Sequence, residues 1–379
     1  MNILYDYQMF CFQNTGGISR YHSDLFKGLK GKGIDTNIGI KYSNNLYLTD
    51  TNLHIEPRFN WGDHFITKHY FPGKYRLAQL VSKYKKVQSS IDYNKELTRE
   101  LIRTKKVDIF HPTYYTDTYD DIELPPMVLT IHDMIHESFP QFFNSLQTIL
   151  GKYILAHRAQ KIIAVSEYTK SEILKHYDFV QSEDIKVIYH GITLDNNKSI
   201  VNQTKKNYLL FVGLRDGYKN FHFLLRAFKK IQKEYKNIHL ICVGPHFTND
   251  ENIYIDFLGL RDYVICKGRV SDCDLIRLYS NAMAYVSSSL SEGFGIPLLE
   301  AMKYEVPLFI SDIPVYREIA NNAATYFNPT IEEDCFIKFT QLIDKQNILN
   351  QLNNASKRIT LFSKEKMIEN TYNLYKSIL

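Results

Sequence analysis

Short apolar runs alternate with amphipathic helical stretches along nearly the whole chain, and this alternation limits the fold more than any other feature of the sequence. Six candidate strands come first: Asn2–Tyr5, Thr36–Ile40, Asp108–His111, Met127–Ile131, Lys161–Val165 and Lys186–Tyr189. Six more follow: Tyr208–Val212, His239–Val243, Val264–Lys267, Ala284–Ser287, Pro307–Ser311 and Ala324–Phe327. Each is rich in Ile, Val or aromatic residues and runs into turn residues. Strand–helix alternation of this kind implies parallel sheets covered by helices on both faces. The expected fold is α/β, with two doubly wound Rossmann-like domains facing a central cleft. A polar stretch without apolar periodicity separates the two sets of strands. The expected division is therefore a first domain over 1–193, a linker over 194–206, a second domain over 207–362 and a final helix over 363–379. In such sheets ligands bind beyond the carboxyl ends of the strands.

A length of 379 residues suits two domains, and 44% hydrophobic with 23% charged residues is ordinary for a globular chain. No apolar run approaches the roughly 20 residues that span a bilayer. The N-terminus runs directly into a strand, with no visible signal peptide. Cys11, Cys242, Cys266, Cys273 and Cys335 are scattered and odd in number, with no CxxC pair. That pattern favours reduced thiols in a cytoplasmic protein over a disulfide frame or a zinc site. The formal charge of +5 is concentrated in residues 58–87, where Arg58, Lys68, Lys74, Arg76, Lys83, Lys85 and Lys86 stand against Asp63. Phe59, Trp61, Phe65, Tyr70, Phe71 and Tyr75 are interleaved with them. Such a mixture suits an anionic membrane surface, here the inner leaflet, or a solvated helix with an aromatic inner face. No nucleic-acid motif accompanies it, so nucleic acid is not an expected partner.

The motifs that carry chemistry sit at strand ends. Glu292-Gly293-Phe294-Gly295-Ile296-Pro297-Leu298-Leu299-Glu300 reads as a glycine turn entering a helix, with Glu300 expected in the first helical turn. Proline fits a first turn, and free N–H groups at a helix start attract anions and sugar oxygens. Two carboxylates on one cleft can accept hydrogen bonds from vicinal hydroxyls. Gly213-Leu214-Arg215 and Lys219-Asn220 follow the first strand of the second set, where a planar fork and a point charge can hold a diphosphate. Thr15-Gly16-Gly17-Ile18-Ser19-Arg20-Tyr21 opens a helix and is not the dinucleotide fingerprint. His132-Asp133 ends a first-domain strand, where an imidazole can meet a sugar hydroxyl. His111, His136 and His190 have lesser claims. Ser166, with Thr169 three residues later, fits a helix cap. Asp272-Cys273-Asp274 matches an Asp-x-Asp metal motif by letter, but acids following Ser271 are expected to serve a helix start instead.

Taken in order along the chain, these motifs resemble the GT-B retaining glycosyltransferases, most closely glycosyltransferase family 4. The resemblance covers both halves. It implies that Arg215 and Lys219 hold the donor pyrophosphate and stabilise the leaving group. It implies that Glu300 binds the ribose, and that Glu292, with backbone N–H groups of Phe294 and Gly295, binds the sugar. It further implies that Gly17, Gly213, Gly293 and Ile296 line the donor cleft, that backbone near Val270 meets the base, and that His132 reaches the donor sugar. A front-face mechanism follows, in which a donor phosphate oxygen takes the acceptor proton and no protein nucleophile acts. With two cations at the diphosphate, no metal and no other cofactor is expected. The donor implied first is GDP-mannose and second a UDP-sugar. The acceptor implied is a saccharide, such as a lipid-linked oligosaccharide of bacterial surface polysaccharide. A sugar-nucleotide epimerase of the same fold and a non-catalytic nucleotide-sugar binding protein stand as rivals.

Overall fold

The computed structural model describes residues 1–49, 51, 53–59, 72–73, 89–143, 146–194, 207–215 and 217–379. Residues 195–206 of the expected linker, and 60–71 and 74–87 of the basic aromatic window, lie outside the described residues. All twelve anticipated strands are present. They are β1 (Asn2–Tyr5), β2 (Asp35–Ile38), β3 (Ile109–His111), β4 (Val128–Ile131), β5 (Lys161–Ala164) and β6 (Ile185–Val187), then β7 (Tyr208–Val212), β8 (His239–Val243), β9 (Val264–Cys266), β10 (Ala284–Ser287), β11 (Leu308–Ser311) and β12 (Ala324–Phe327). Every pairing between them is parallel.

The second sheet runs β12-β11-β10-β7-β8-β9. In the first half, β2-β1-β3 and β4-β5-β6 form two three-stranded pieces. A bridge between Phe110 and Met127 joins β3 to the start of β4. Both faces of each sheet are buried, and β7 shows how the sequence achieves this. Tyr208 and Leu210 enter one core cluster while Leu209 and Phe211 enter the other, the period-2 alternation of a strand covered on both sides. Helices supply the covering layers. The Phe221–Glu234 helix buries Phe221, Leu224, Leu225, Phe228 and Ile231, which recur at helical spacing on one face.

The closing helix, Lys364–Lys376, packs on the first domain. Met367, Ile368, Leu374 and Tyr375 belong to the same core cluster as Ile3, Tyr5 and Leu25. Lys364 pairs with Asp24 at 2.9 Å, and the Tyr375 hydroxyl lies 2.5 Å from His111 Nδ1. The two chain crossings between the halves also meet each other: the Ile192 N–H donates to the Phe362 carbonyl at 2.9 Å. Among the described residues, no helix is long and apolar enough to cross a membrane.

Strand order reverses about β7 in the second sheet, because the chain goes to β8 on one side and later to β10 on the other. A crevice at the carboxyl ends of β7 and β10 is the place such a sheet offers to a ligand. The loop after β7 carries Gly213 to Lys219, and the loop after β10 carries Glu292 to Gly295.

Candidate active site

Arg215 leaves the end of β7 with its side chain only 4% exposed. Its guanidinium is held on Glu251, at 2.6 Å from Nε to Oε1 and 3.1 Å from Nη2 to Oε2, and lies over the Phe221 and Phe247 rings. Nη1 is buried and has no hydrogen-bond partner among the described residues. Gly244 lies beside that Nη1: a Cβ built on it would stand 3.7 Å from the nitrogen and overlap the Gly213 carbonyl. An unpaired N–H on a buried guanidinium is costly unless an anion completes it. Lys219 ends the short turn Gly217–Lys219, whose position is fixed by Ser288. The Ser288 hydroxyl donates to the carbonyls of Lys219 and Asn220 at 2.9 and 3.2 Å. Lys219 Nζ lies 2.6 Å from Glu292 Oε1. The two cations therefore rest on different carboxylates, and the structure does not bring Arg215 and Lys219 together over one point as their expected hold on a diphosphate would have it.

Glu292 is more enclosed than its sequence neighbourhood suggests. Its Oε1 accepts from Lys219, from the Ser289 hydroxyl at 2.6 Å and from the Tyr316 hydroxyl at 3.3 Å. Ser287 in turn lies 2.7 Å from the Tyr316 hydroxyl. The turn that follows needs both of its glycines. Gly295 has φ +98°, and a Cβ there would also press on Tyr316 at 3.0 Å. A Cβ on Gly293 would overlap the His132 carbonyl oxygen of the opposite domain. That overlap shows how closely the two domains meet here.

The helix Ile296–Lys303 has Gly295 as its N-cap with no side-chain cap. Pro297 has no N–H and the Leu298 N–H donates to the Gly295 carbonyl at 2.9 Å, which leaves the turn before the helix, and not its interior, to offer N–H groups. Glu300 is the fifth residue of this helix, not in its first turn as expected, because the left-handed Gly295 delays the helix start. One turn further on, Glu300 Oε2 accepts from the Tyr279 hydroxyl at 3.0 Å. Across the cleft Arg20 Nη1 lies 3.5 Å from Glu300 Oε1. Burial raises the Glu300 carboxyl above the usual glutamate range, and Arg20 opposes that rise. The Tyr47 hydroxyl of the first domain shares this locality. Its own upward shift comes from burial first, with Arg20 opposing and Asp272 and Glu300 adding to it.

The first domain presents His132 at the end of β4. Its ring is 7% exposed and stacks on His190 with centroids 5.4 Å apart. Tyr21 and His22 meet it edge-on. Its Nε2 is buried with no partner among the described residues, so one ring nitrogen is left for a ligand. Burial, then His190, His111 and Lys152, push its pKa well below the ordinary histidine value, so the ring is neutral at pH 7. Gly17 opens the Gly17–Gly31 helix, and a Cβ on it would stand 3.0 Å from Ile296 of the second domain. Ser166 caps the Glu167–His176 helix by accepting from the Thr169 N–H at 2.9 Å. The hydroxyls of Ser166 and Thr169 also reach the Gly293 carbonyl, at 2.7 and 3.1 Å. Phe294 packs into the seam against His190.

Val270 is half-buried in the turn between β9 and the Asp272–Asn281 helix, against the second-domain core. Ser271 caps that helix by accepting from the Asp274 N–H, and Asp274 pairs with Arg277. Among the described residues, no group of three or more His, Cys, Asp or Glu side chains could hold a metal ion.

Around one seam the structure thus gathers Gly17, His132, Gly293, Phe294, Ile296 and Glu300, with Lys219 paired to Glu292 and Gly213 and Arg215 at the adjoining end of β7. Sequence reading missed Arg20, Ser289, Glu251, Tyr279 and Tyr316 as partners of these groups. Only Arg20 and Ser289 carried a signal. Arg20 lies inside the glycine motif, and Ser289 ends a serine run directly after a strand.

Two parallel α/β domains whose strand ends meet across such a seam define the GT-B architecture. Residues 15–196 match the family described as Glycosyltransferase Family 4, and residues 194–359 match Glycosyl transferases group 1. The O-antigen chain mannosyltransferase RfbU of Salmonella typhimurium is 32% identical over 247 residues, which are 64% of this chain and 68% of that protein. The serotype-specific mannosyltransferase WbdA of Escherichia coli is 34% identical over 122 residues, 31% of this chain and only 15% of that longer protein. The crystal structure of Anabaena Alr3699/HepE in complex with UDP and glucose superposes with a TM-score of 0.71 over 100% of both chains, at 17% identity, a likeness of fold. The chain belongs to the family 4 glycosyltransferases of GT-B fold.

Proposed function

We propose that this protein is a retaining, metal-independent hexosyltransferase that moves mannose from GDP-mannose to a saccharide acceptor. The observation that carries this reading is the unsatisfied buried Nη1 of Arg215, at the end of β7 in the second sheet's switch-point crevice. A diphosphate bound there completes the guanidinium and draws Lys219 from Glu292. The two cations then neutralise charge as the nucleotide leaves, a stabilisation aimed at the transition state. Glu300 takes the ribose hydroxyls in place of Arg20. Glu292, released from Lys219, and the N–H groups of the Phe294–Ile296 turn take the sugar. His132 presents its free Nε2 from the opposite domain. No side chain is assigned as nucleophile: a donor phosphate oxygen accepts the acceptor proton on the face from which the nucleotide departs.

Mannose is chosen because the relatives RfbU and WbdA are named as mannosyltransferases. A UDP-sugar is the second choice. The O-antigen role in RfbU's name favours a lipid-linked oligosaccharide acceptor, met at the cytoplasmic face of the membrane with residues 58–87 against the inner leaflet.

Melting temperature measured against GDP, UDP, ADP, dTDP and CMP tests the donor site, since a ligand that binds only the folded chain raises it. GDP is expected to give the largest rise, and Glu300→Gln to remove most of it. A rise with UDP alone would select the UDP-sugar reading. No rise with any nucleotide would contradict the site.

A further inference from the structure

Lys152 is the most deeply buried lysine in the first domain's described residues, with 1% of its side chain exposed. It lies on the Leu146–Arg158 helix, behind the turn that carries His132. Its Nζ donates to the Asp133 carbonyl at 2.8 Å and to Glu137 Oε2 at 2.9 Å. The ammonium also lies 5.4 Å from the centre of the Tyr115 ring. Tyr115 completes the other side of the same turn: its hydroxyl accepts from the His132 N–H at 3.3 Å and donates to the Thr130 carbonyl at 2.9 Å. Gly151 lets the helix approach so closely, because a Cβ there would overlap the Tyr115 carbonyl.

A buried ammonium has three N–H donors, and Glu137 and the Asp133 carbonyl each take one. A buried ion pair is weak evidence of stabilisation, since desolvating two charges offsets much of their attraction. The bond to the Asp133 carbonyl is what ties this pair to the turn. Lys152 holds the carbonyl of Asp133, in the peptide that joins Asp133 to Met134, one residue beyond the His132 carbonyl that meets Gly293 across the seam.

We propose that Lys152 is a positioning residue for sugar transfer, clamping the His132–Asp133 turn so that the imidazole and the Gly293 loop meet in one register. This rests on the hexosyltransferase reading above. A displacement of about 1 Å at a reacting centre can cost on the order of 100-fold in rate, so a clamp on this turn acts directly on turnover. The donor diphosphate site lies in the other domain and is expected to be untouched.

The test compares Glu137→Gln with the double variant Glu137→Gln/Lys152→Met in the full chain. Glu137→Gln keeps the bond from Lys152 to the Asp133 carbonyl but leaves a buried ammonium without its counter-charge. The second change removes that ammonium and its desolvation cost, against the loss of one hydrogen bond to the Asp133 carbonyl, so the double variant should melt close to the single one. A purely structural lysine then predicts that the double variant is at least as active. The clamp predicts the reverse: kcat at least ~10-fold lower than in Glu137→Gln at unchanged donor KM. It also predicts faster amide hydrogen exchange in the 130–136 segment of the double variant only. Equal kcat with equal exchange overturns the inference. If wild-type protein transfers no sugar, the functional reading fails by itself, and the exchange comparison still decides whether the clamp exists.

Discussion

Replacing Arg215 by alanine is expected to lower kcat/KM for sugar transfer by about 10²–10³-fold, the usual cost of losing one preorganised donor to transition-state charge. It should also destabilise the fold, because Glu251 is left buried without the guanidinium that satisfies both of its oxygens. Removing one partner of a buried pair typically costs about 3–5 kcal/mol. The two effects separate in Arg215→Met/Glu251→Gln, which leaves no charge uncompensated. That variant is expected to recover most of the melting temperature and none of the activity. Steady-state kinetics beside thermal melts check this. Activity within about 5-fold of wild type in a folded Arg215 variant, far short of the loss expected for such a donor, would remove the cation from the mechanism.

Acidification is expected to unfold the protein well above the pH at which its carboxylates alone would require it. His22, His111, His132 and His190 all lie in the seam beneath the candidate site, each 7% exposed or less. Burial lowers all four pKa values, to about 3 for His111 and His190. Both ring nitrogens of His22 are buried without a partner. At these histidines the native state therefore binds fewer protons than the unfolded chain between the unfolded value of about 6.5 and the lowered folded values. Stability is complete above pH 6.5 and falls as pH drops, by up to about 1.4 kcal/mol per histidine per pH unit, until the folded pKa is reached. His111 and His190, with folded values of about 3, together contribute up to about 3 kcal/mol per unit below pH 5.5, and His22 and His132 add in the same direction. Asp6 and Glu300, whose carboxyls burial raises, oppose part of this loss. Urea midpoints from pH 7.5 to 4.5 give the slope directly. His22→Phe should reduce it by about one proton. A flat profile between pH 6.5 and 5 would show that the cluster is not buried neutral.

Much of the fold was legible because each strand announces itself. A run such as Tyr208–Val212 places alternate side chains on two faces, and both faces want apolar residues, so the strand needs no knowledge of its partners. Strand ends were less legible. The second strand was expected at Thr36–Ile40 but pairs over Asp35–Ile38, since pairing with β1 and not local composition decides where the ladder stops. The site divides along the same line. Gly293, Gly295 and Glu292 stand within one turn and can be read together. Glu251, Tyr279 and Tyr316 reach the site only through folding, and nothing local to them shows that Arg215, Glu300 and Glu292 are their partners. The histidine cluster is a stronger case, because His22, His111, His132 and His190 come from four separated segments that meet only in the packed domain. Lys152 reads as a surface residue of an amphipathic helix until Gly151 is seen to bring that helix against Tyr115.

The central claim is transfer with retention and without a metal. Its most direct test is the product formed from GDP-mannose labelled with ¹³C at the anomeric carbon, incubated with an alkyl mannoside acceptor in the presence of EDTA and followed by NMR. The account predicts a new glycoside with the anomeric configuration of the donor, at a rate that EDTA does not change. An inverted product, transfer abolished by EDTA, or donor consumed with no glycoside formed would contradict it.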